Sequence, residues 1–187
     1  MWWSDMRRMG LGLARFVPLL MAAGVLAGCF QPLYGERSLT GGPGIKTALS
    51  SVDVGQIPAP GGSPQSRVAV DLRNQLIFDL NGNVPNPSTH RLNVTISTTT
   101  VSVIVDLTSA RPEVENYGLI ASYNLVELKT GRTVVSDQTF TRVSYDSPGG
   151  QQRFARVRAL RDAENRAVQV IADNIRNRLA SYFVAGT

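Results

Sequence analysis

His90 is the only histidine and Cys29 the only cysteine of the 187 residues, and these two counts bound the chemistry the chain can perform. A Ser-His-Asp site would have to use His90, yet no G-x-S-x-G elbow exists to present a serine to it. His90 follows Asn86, Pro87 and Ser88 just ahead of a strand pattern, where a solvated loop histidine is expected. Cys29 ends an apolar N-terminal run that suits lipid attachment, which would leave no thiol for nucleophilic catalysis. No His/Cys/Glu cluster has metal-ligand spacing. No glycine-rich loop joins a strand to a helix as a phosphate cradle would; Gly61-Gly62 and Gly149-Gly150 read as turn glycines. The residues therefore predict a protein that is not an enzyme and uses no cofactor and no metal.

Cationic side chains remain. Arg153, Arg156, Arg158, Arg161 and Arg166 crowd the first half of a long helical pattern, answered on it by Asp162 and Glu164; a solvated face is the ordinary reading. Arg111, Lys129 and Arg132 fall in polar loops. A loop can offer a guanidinium fork to a phosphate without burying it. Lys129 and Arg132 flank one turn and should be close. Arg111 belongs to the preceding loop, and successive hairpin loops fall at opposite ends of a sheet.

The N-terminus carries the strongest local signal. Arg7 and Arg8 precede an apolar run from Phe16 to Gly28, which ends in Leu26-Ala27-Gly28-Cys29. A basic start, a short apolar run and a small-residue stop make an export signal. The run is shorter than the roughly 20 residues a spanning helix needs. Its end resembles a bacterial lipobox. The resemblance implies that residues 1–28 are removed, that the Cys29 thiol takes a diacylglycerol, and that the new amine is acylated. At about 0.8 kcal/mol per buried CH₂, several chains together hold a protein on a membrane where a single chain is marginal. Phe30 stands where an Asp would retain such a protein in the inner membrane, so the resemblance implies an outer-membrane destination, lipid-anchored on the periplasmic side.

Losing the leader removes Arg7, Arg8, Arg15 and Asp5, and the formal charge falls from +5 to +3. That is too weak to argue for nucleic acid. Both tryptophans leave as well, and no second cysteine exists for a disulfide. The remaining length suffices for a core without one.

Residues 29–47, with Pro32, Pro43 and four glycines, suit an extended tether; residues 48–187 form one α/β domain. Val52, Val54 and Ile57 mark a short strand, and Pro58 to Pro64 a surface loop. Val68, Leu72, Leu76 and Leu80 make one helical stripe, with Ile77 beside it, up to the stop at Asn81-Gly82-Asn83. Leu92, Val94 and Ile96 alternate with polar residues, and the apolar phase then slips to Val101, Val103 and Val105. A bulge near Thr99–Thr100 that turns the other face inward is expected. Asp106 to Asn116 reads as a polar loop holding Arg111-Pro112. Tyr117 to Leu125 and Val134 to Tyr145 are further strands, joined through a hairpin at Leu128–Thr133 in which Gly131 takes the positive φ. A last helix to about Phe183 has the stripe Phe154, Val157, Leu160, Ala167, Ile171, Ile175, Leu179 and Tyr182. Such a helix is about 48 Å long, so one end should overhang the sheet or bend. The order β-α-β-β-β-α predicts an α+β fold: a four-stranded mixed, mostly antiparallel sheet with two helices on one face. The other face, rich in Thr, Ser and Asn, is left wet or meets a partner.

Cys29-Phe30-Gln31-Pro32-Leu33-Tyr34-Gly35 resembles the start of the LPS-assembly lipoprotein family (LptE-like), whose members often read Cys-Gly-Phe-x-Pro-Leu-Tyr. The glycine after the cysteine is missing here. The element order is similar to that family's across the mature chain, whereas the motif covers about seven residues. The resemblance implies a non-enzymatic outer-membrane lipoprotein that plugs an LptD-like β-barrel and helps deliver lipopolysaccharide to the outer leaflet. It points to Lys129, Arg132 and Arg111 as contacts for lipopolysaccharide phosphates, and to Arg111-Pro112 as a contact with the barrel. The alternative is a non-catalytic scaffold of another envelope transport or cell-wall complex.

Overall fold

The computed structural model describes residues 44–81, 87–106, 111–147 and 152–185. The chain divides at Gly35, and these residues all belong to its C-terminal unit, Glu36–Thr187. Cys29, most of the tether and the start of the second unit lie outside the described residues. In order come α1 (Ile45–Ser50), β1 (Val52–Val54), α2 (Pro64–Asn81), β2 (His90–Asp106), β3 (Arg111–Glu127), β4 (Thr133–Asp146) and α3 (Arg153–Ala185). The strands lie in sequence order in one sheet, β1 parallel to β2 and the other pairs antiparallel. This is the α+β architecture expected, with the helices packed against the sheet. The short α1 is an addition: its six residues begin inside the stretch read as tether.

Local chemistry sets the main boundaries. Ser63 caps α2, its Oγ accepting the Ser66 N–H at 3.2 Å, and Pro64 takes the first helical position, where a missing N–H costs nothing. The surface loop thus ends one residue earlier than its prolines suggested. At the other hairpin Gly131 has φ 69°, which a residue with a Cβ adopts only at a cost.

One face of the sheet and both helices close a single core. Val68, Leu72, Leu76 and Leu80 of α2 are buried, as are Leu92, Val94, Ile96, Tyr117, Leu119, Ala121, Tyr123 and Leu125 of the strands. From α3 come Ala167, Ile171, Ile175 and Leu179. The register explains the sharing: Leu92, Leu125 and Val135 lie in one row, and Ile96, Ala121 and Thr139 in another, since directly opposed residues share a face.

Three expectations are corrected. The ladder runs regularly through Thr99↔Gly118, Thr100↔Tyr117 and Val101↔Asn116, and its irregularity falls later, between Ser102 and Val105. It lies opposite Pro112, which pairs with Val105 and has no N–H to give the ladder. Val101 and Val103 stay exposed, at 57% and 53%, and do not turn inward; the side chain of Val105 lies outside the described residues. Second, the loop read over Asp106–Asn116 is mostly strand: β2 reaches Asp106 and β3 starts at Arg111. Third, the buried stripe of α3 does not begin at Phe154 or Val157, which are 85% and 45% exposed. The overhanging end is the N-terminal one.

That end of the core is polar. Glu164, 4% exposed, faces inward and pairs with Arg67 of α2 rather than with an arginine of its own helix. Glu115, equally buried, accepts the Tyr145 hydroxyl and pairs with Arg156 at 3.1 Å. Burial first, and the hydrogen bond to Glu115 second, push the Tyr145 hydroxyl well above the ordinary phenol range.

Candidate functional site

The turn between β3 and β4 is built by its own backbone. Glu127 N donates to Arg132 O at 2.9 Å and Gly131 N to Glu127 O at 2.8 Å. Thr130 Oγ1 donates to the Glu127 carboxylate at 2.6 Å and accepts the Arg132 N–H at 3.3 Å. Lys129 and Arg132 both stand exposed on this framework, and neither makes an ion pair among the described residues. The expectation that they are near neighbours in one turn is met. Glu127 lies in the same turn and offsets one of the two charges. The turn is therefore a weak, well-held cationic corner rather than a deep phosphate pocket.

The corner is tied to the start of β2, where Leu128 N donates to Thr89 O at 2.9 Å. Here the solvated-loop reading of His90 is corrected. His90 is the first residue of β2 and half-buried, its Nδ1 2.8 Å from Thr89 Oγ1. Its ring stands edge-on to Phe183 at 5.3 Å and Tyr182 at 6.5 Å between centroids. No local pattern around His90 signals this, because the rings arrive from the far end of the sequence. Burial lowers the imidazole pKa below its ordinary value, and the Glu127 carboxylate pulls it partly back. The unfolded chain then binds the proton more readily than the folded one. Stability should rise with pH through the range below about 6.5 and fall as the solution is acidified through it. Thermal unfolding between pH 7.5 and 5.5 tests this; His90→Phe should flatten the slope there, and an unchanged slope would reject the role of His90.

Arg111 and Pro112 open β3, pairing with Asp106 and Val105 at the other end of the sheet from His90↔Glu127. The structure thus keeps Arg111 apart from Lys129 and Arg132, as the hairpin geometry predicts, but on a strand rather than a free loop. Their side chains lie outside the described residues, as does Cys29. The crowded arginines of α3 are partly spent: Arg156 on Glu115, and Arg166 on Asp162 and on Ser144 O.

The sheet face away from the helices is a polar ladder. Asn93 donates to Asn124 at 3.0 Å, Gln138 to Ser122 at 2.9 Å and Ser144 to Asn116 at 2.6 Å. Phe140 stands among these groups, 73% exposed. A shallow groove of about 350 Å³ lies elsewhere, lined by Gln56, Ile57, Ala69, Val70, Arg73 and Asn74. Its one cation, Arg73, is turned to Gly55 O at 3.3 Å. Among the described residues no three His, Cys, Asp or Glu side chains stand together to hold a metal, and no described helix is long and apolar enough to cross a membrane.

Solved structures share the fold. A protein of Caulobacter crescentus CB15 assigned as a lipoprotein superposes with a TM-score of 0.59 at 21% identity, over 76% of this chain and 97% of the other. Rare lipoprotein B from Shewanella oneidensis superposes with a TM-score of 0.50 at 13% identity, over 71% of this chain and 96% of the other. No family model matches the sequence, and no curated protein matches it significantly. At such identities the likeness is one of fold.

Proposed function

We propose that this chain is an outer-membrane lipoprotein, anchored through Cys29, that sits within an LptD-type β-barrel and assists assembly of lipopolysaccharide into the outer leaflet. The observation that carries the reading is the lipobox-like Leu26-Ala27-Gly28-Cys29 followed by Phe30-Gln31-Pro32-Leu33-Tyr34, ahead of a body whose fold recurs in rare lipoprotein B. The described residues assemble no catalytic set, and their chemistry is recognition. The Lys129–Arg132 corner supplies cations for sugar or lipid phosphates. The Asn, Ser, Thr and Gln side chains of the ladder offer a barrel wall hydrogen bonds, with Arg142 the charge among them.

If the corner grips phosphates, Lys129→Asp with Arg132→Asp should weaken lipopolysaccharide binding at low salt. The loss should shrink as salt rises, since exposed charges are screened over about 8–10 Å in physiological buffer. The thermal transition should hardly move, because both side chains are exposed. Deleting Arg111-Pro112 should instead impair assembly with the barrel more than lipid binding. Affinity purification from detergent-solubilised outer membrane tests the partner. If no large β-barrel copurifies and depletion leaves surface lipopolysaccharide normal, the non-catalytic scaffold of another envelope complex takes its place.

A further inference from the structure

The first turns of α3 carry a stripe that the fold does not use. Phe154, Val157, Arg158 and Arg161 are spaced i, i+3, i+4 and i+7, which puts them on one side of the helix. Residues 153–158 are all exposed, Phe154 more than any other large apolar side chain among the described residues. Arg153, Arg158 and Arg161 make no ion pair among the described residues. Val101 and Val103, though exposed at the same end of the sheet, are not part of this stripe: Ser102 between them pairs with buried Glu115, so both valines lie on the face turned away from α3. Apolar surface gathered beside unpaired guanidinium groups marks a place of interaction more often than a surface meant for water alone.

We infer that this tip docks on the surface of an anionic phospholipid bilayer while the protein has no barrel around it, a role that goes beyond the function proposed above and rests only on its Cys29 anchor. The chemistry is complementary at two depths: phosphate headgroups for Arg153, Arg158 and Arg161, and the acyl boundary for Phe154 and Val157. Each arginine held near an anionic surface contributes about 1 kcal/mol. Reach does not forbid it. α3, with 33 residues, is about 50 Å long, and residues 29–43 fully extended would span about as much.

The test uses the full chain, purified from membranes and reconstituted in vesicles of phosphatidylcholine with or without phosphatidylglycerol. Phe154→Trp places an indole at the tip, and it is the only one in the processed chain, since Trp2 and Trp3 leave with the leader. With phosphatidylglycerol present, the added emission should move to the blue and be quenched by brominated acyl chains; in phosphatidylcholine alone it should do neither. Raised salt should reverse the shift. Combining Arg153→Gln, Arg158→Gln and Arg161→Gln should lower the ratio of docked to undocked tips about a hundredfold. Water-like emission in both vesicle types, an equal shift in phosphatidylcholine alone, or a shift that survives both salt and the triple replacement would each overturn the inference.

Discussion

Replacing Cys29 by serine should abolish membrane anchoring and leave either an uncleaved precursor or a soluble protein. The expected effect is all-or-none for a chemical reason. Only a thiol accepts the diacylglycerol, and a hydroxyl in its place leaves no site for thioether formation. Without the acyl chains, at about 0.8 kcal/mol per buried CH₂, the rest of the anchoring energy is missing, and no described helix is able to span a membrane in its stead. Mass spectrometry of the mature N-terminus is the direct check. A free Cys29 thiol, or a mature chain that starts elsewhere, would rule out the lipid anchor and the outer-membrane destination with it.

Leu76→Ala and Ile171→Ala should each cost about 2–5 kcal/mol of folding stability. Both side chains are fully buried, one from each helix. Leu76 stands on the stripe of α2, and Ile171 on the face that α3 turns to the sheet. The loss combines the transfer energy of the removed methyl groups with the cavity left behind. It should appear in urea unfolding as a lower midpoint with little change in slope. Phe154→Ala, on the same helix as Ile171 but exposed, should change stability by no more than about 0.5 kcal/mol. Equal losses at Ile171 and Phe154, or a flat response at Leu76, would contradict the packing of both helices on one sheet face.

Much of the fold was legible because periodicity is a local property. The four-residue spacing from Val68 to Leu80 and the alternation from Tyr117 to Leu125 are each complete within one element, and burial follows both patterns. The positive φ of Gly131 was readable for the same reason, as was the nearness of Lys129 to Arg132: a tight turn decides both within a few residues. The signature around Cys29 is local as well, and it carries the functional reading although the described residues begin at Gly44.

What the sequence left undecided needs partners distant in the chain. Val101 and Val103 have the composition of core residues, yet the unbroken register with β3 keeps them on the exposed side. Phe154 and Val157 continue the apolar spacing of α3 past the point where the sheet has anything to cover them. Glu164 has the arginines of its own helix as sequence neighbours, but Arg67, 97 residues away, takes it across to α2. His90 has loop-forming neighbours on one side, and only the return of α3 sets Tyr182 and Phe183 against its ring. Spacing along the chain thus determined which residues share a face. Which faces are covered, and by what, was decided only when strands and helices far apart in sequence met.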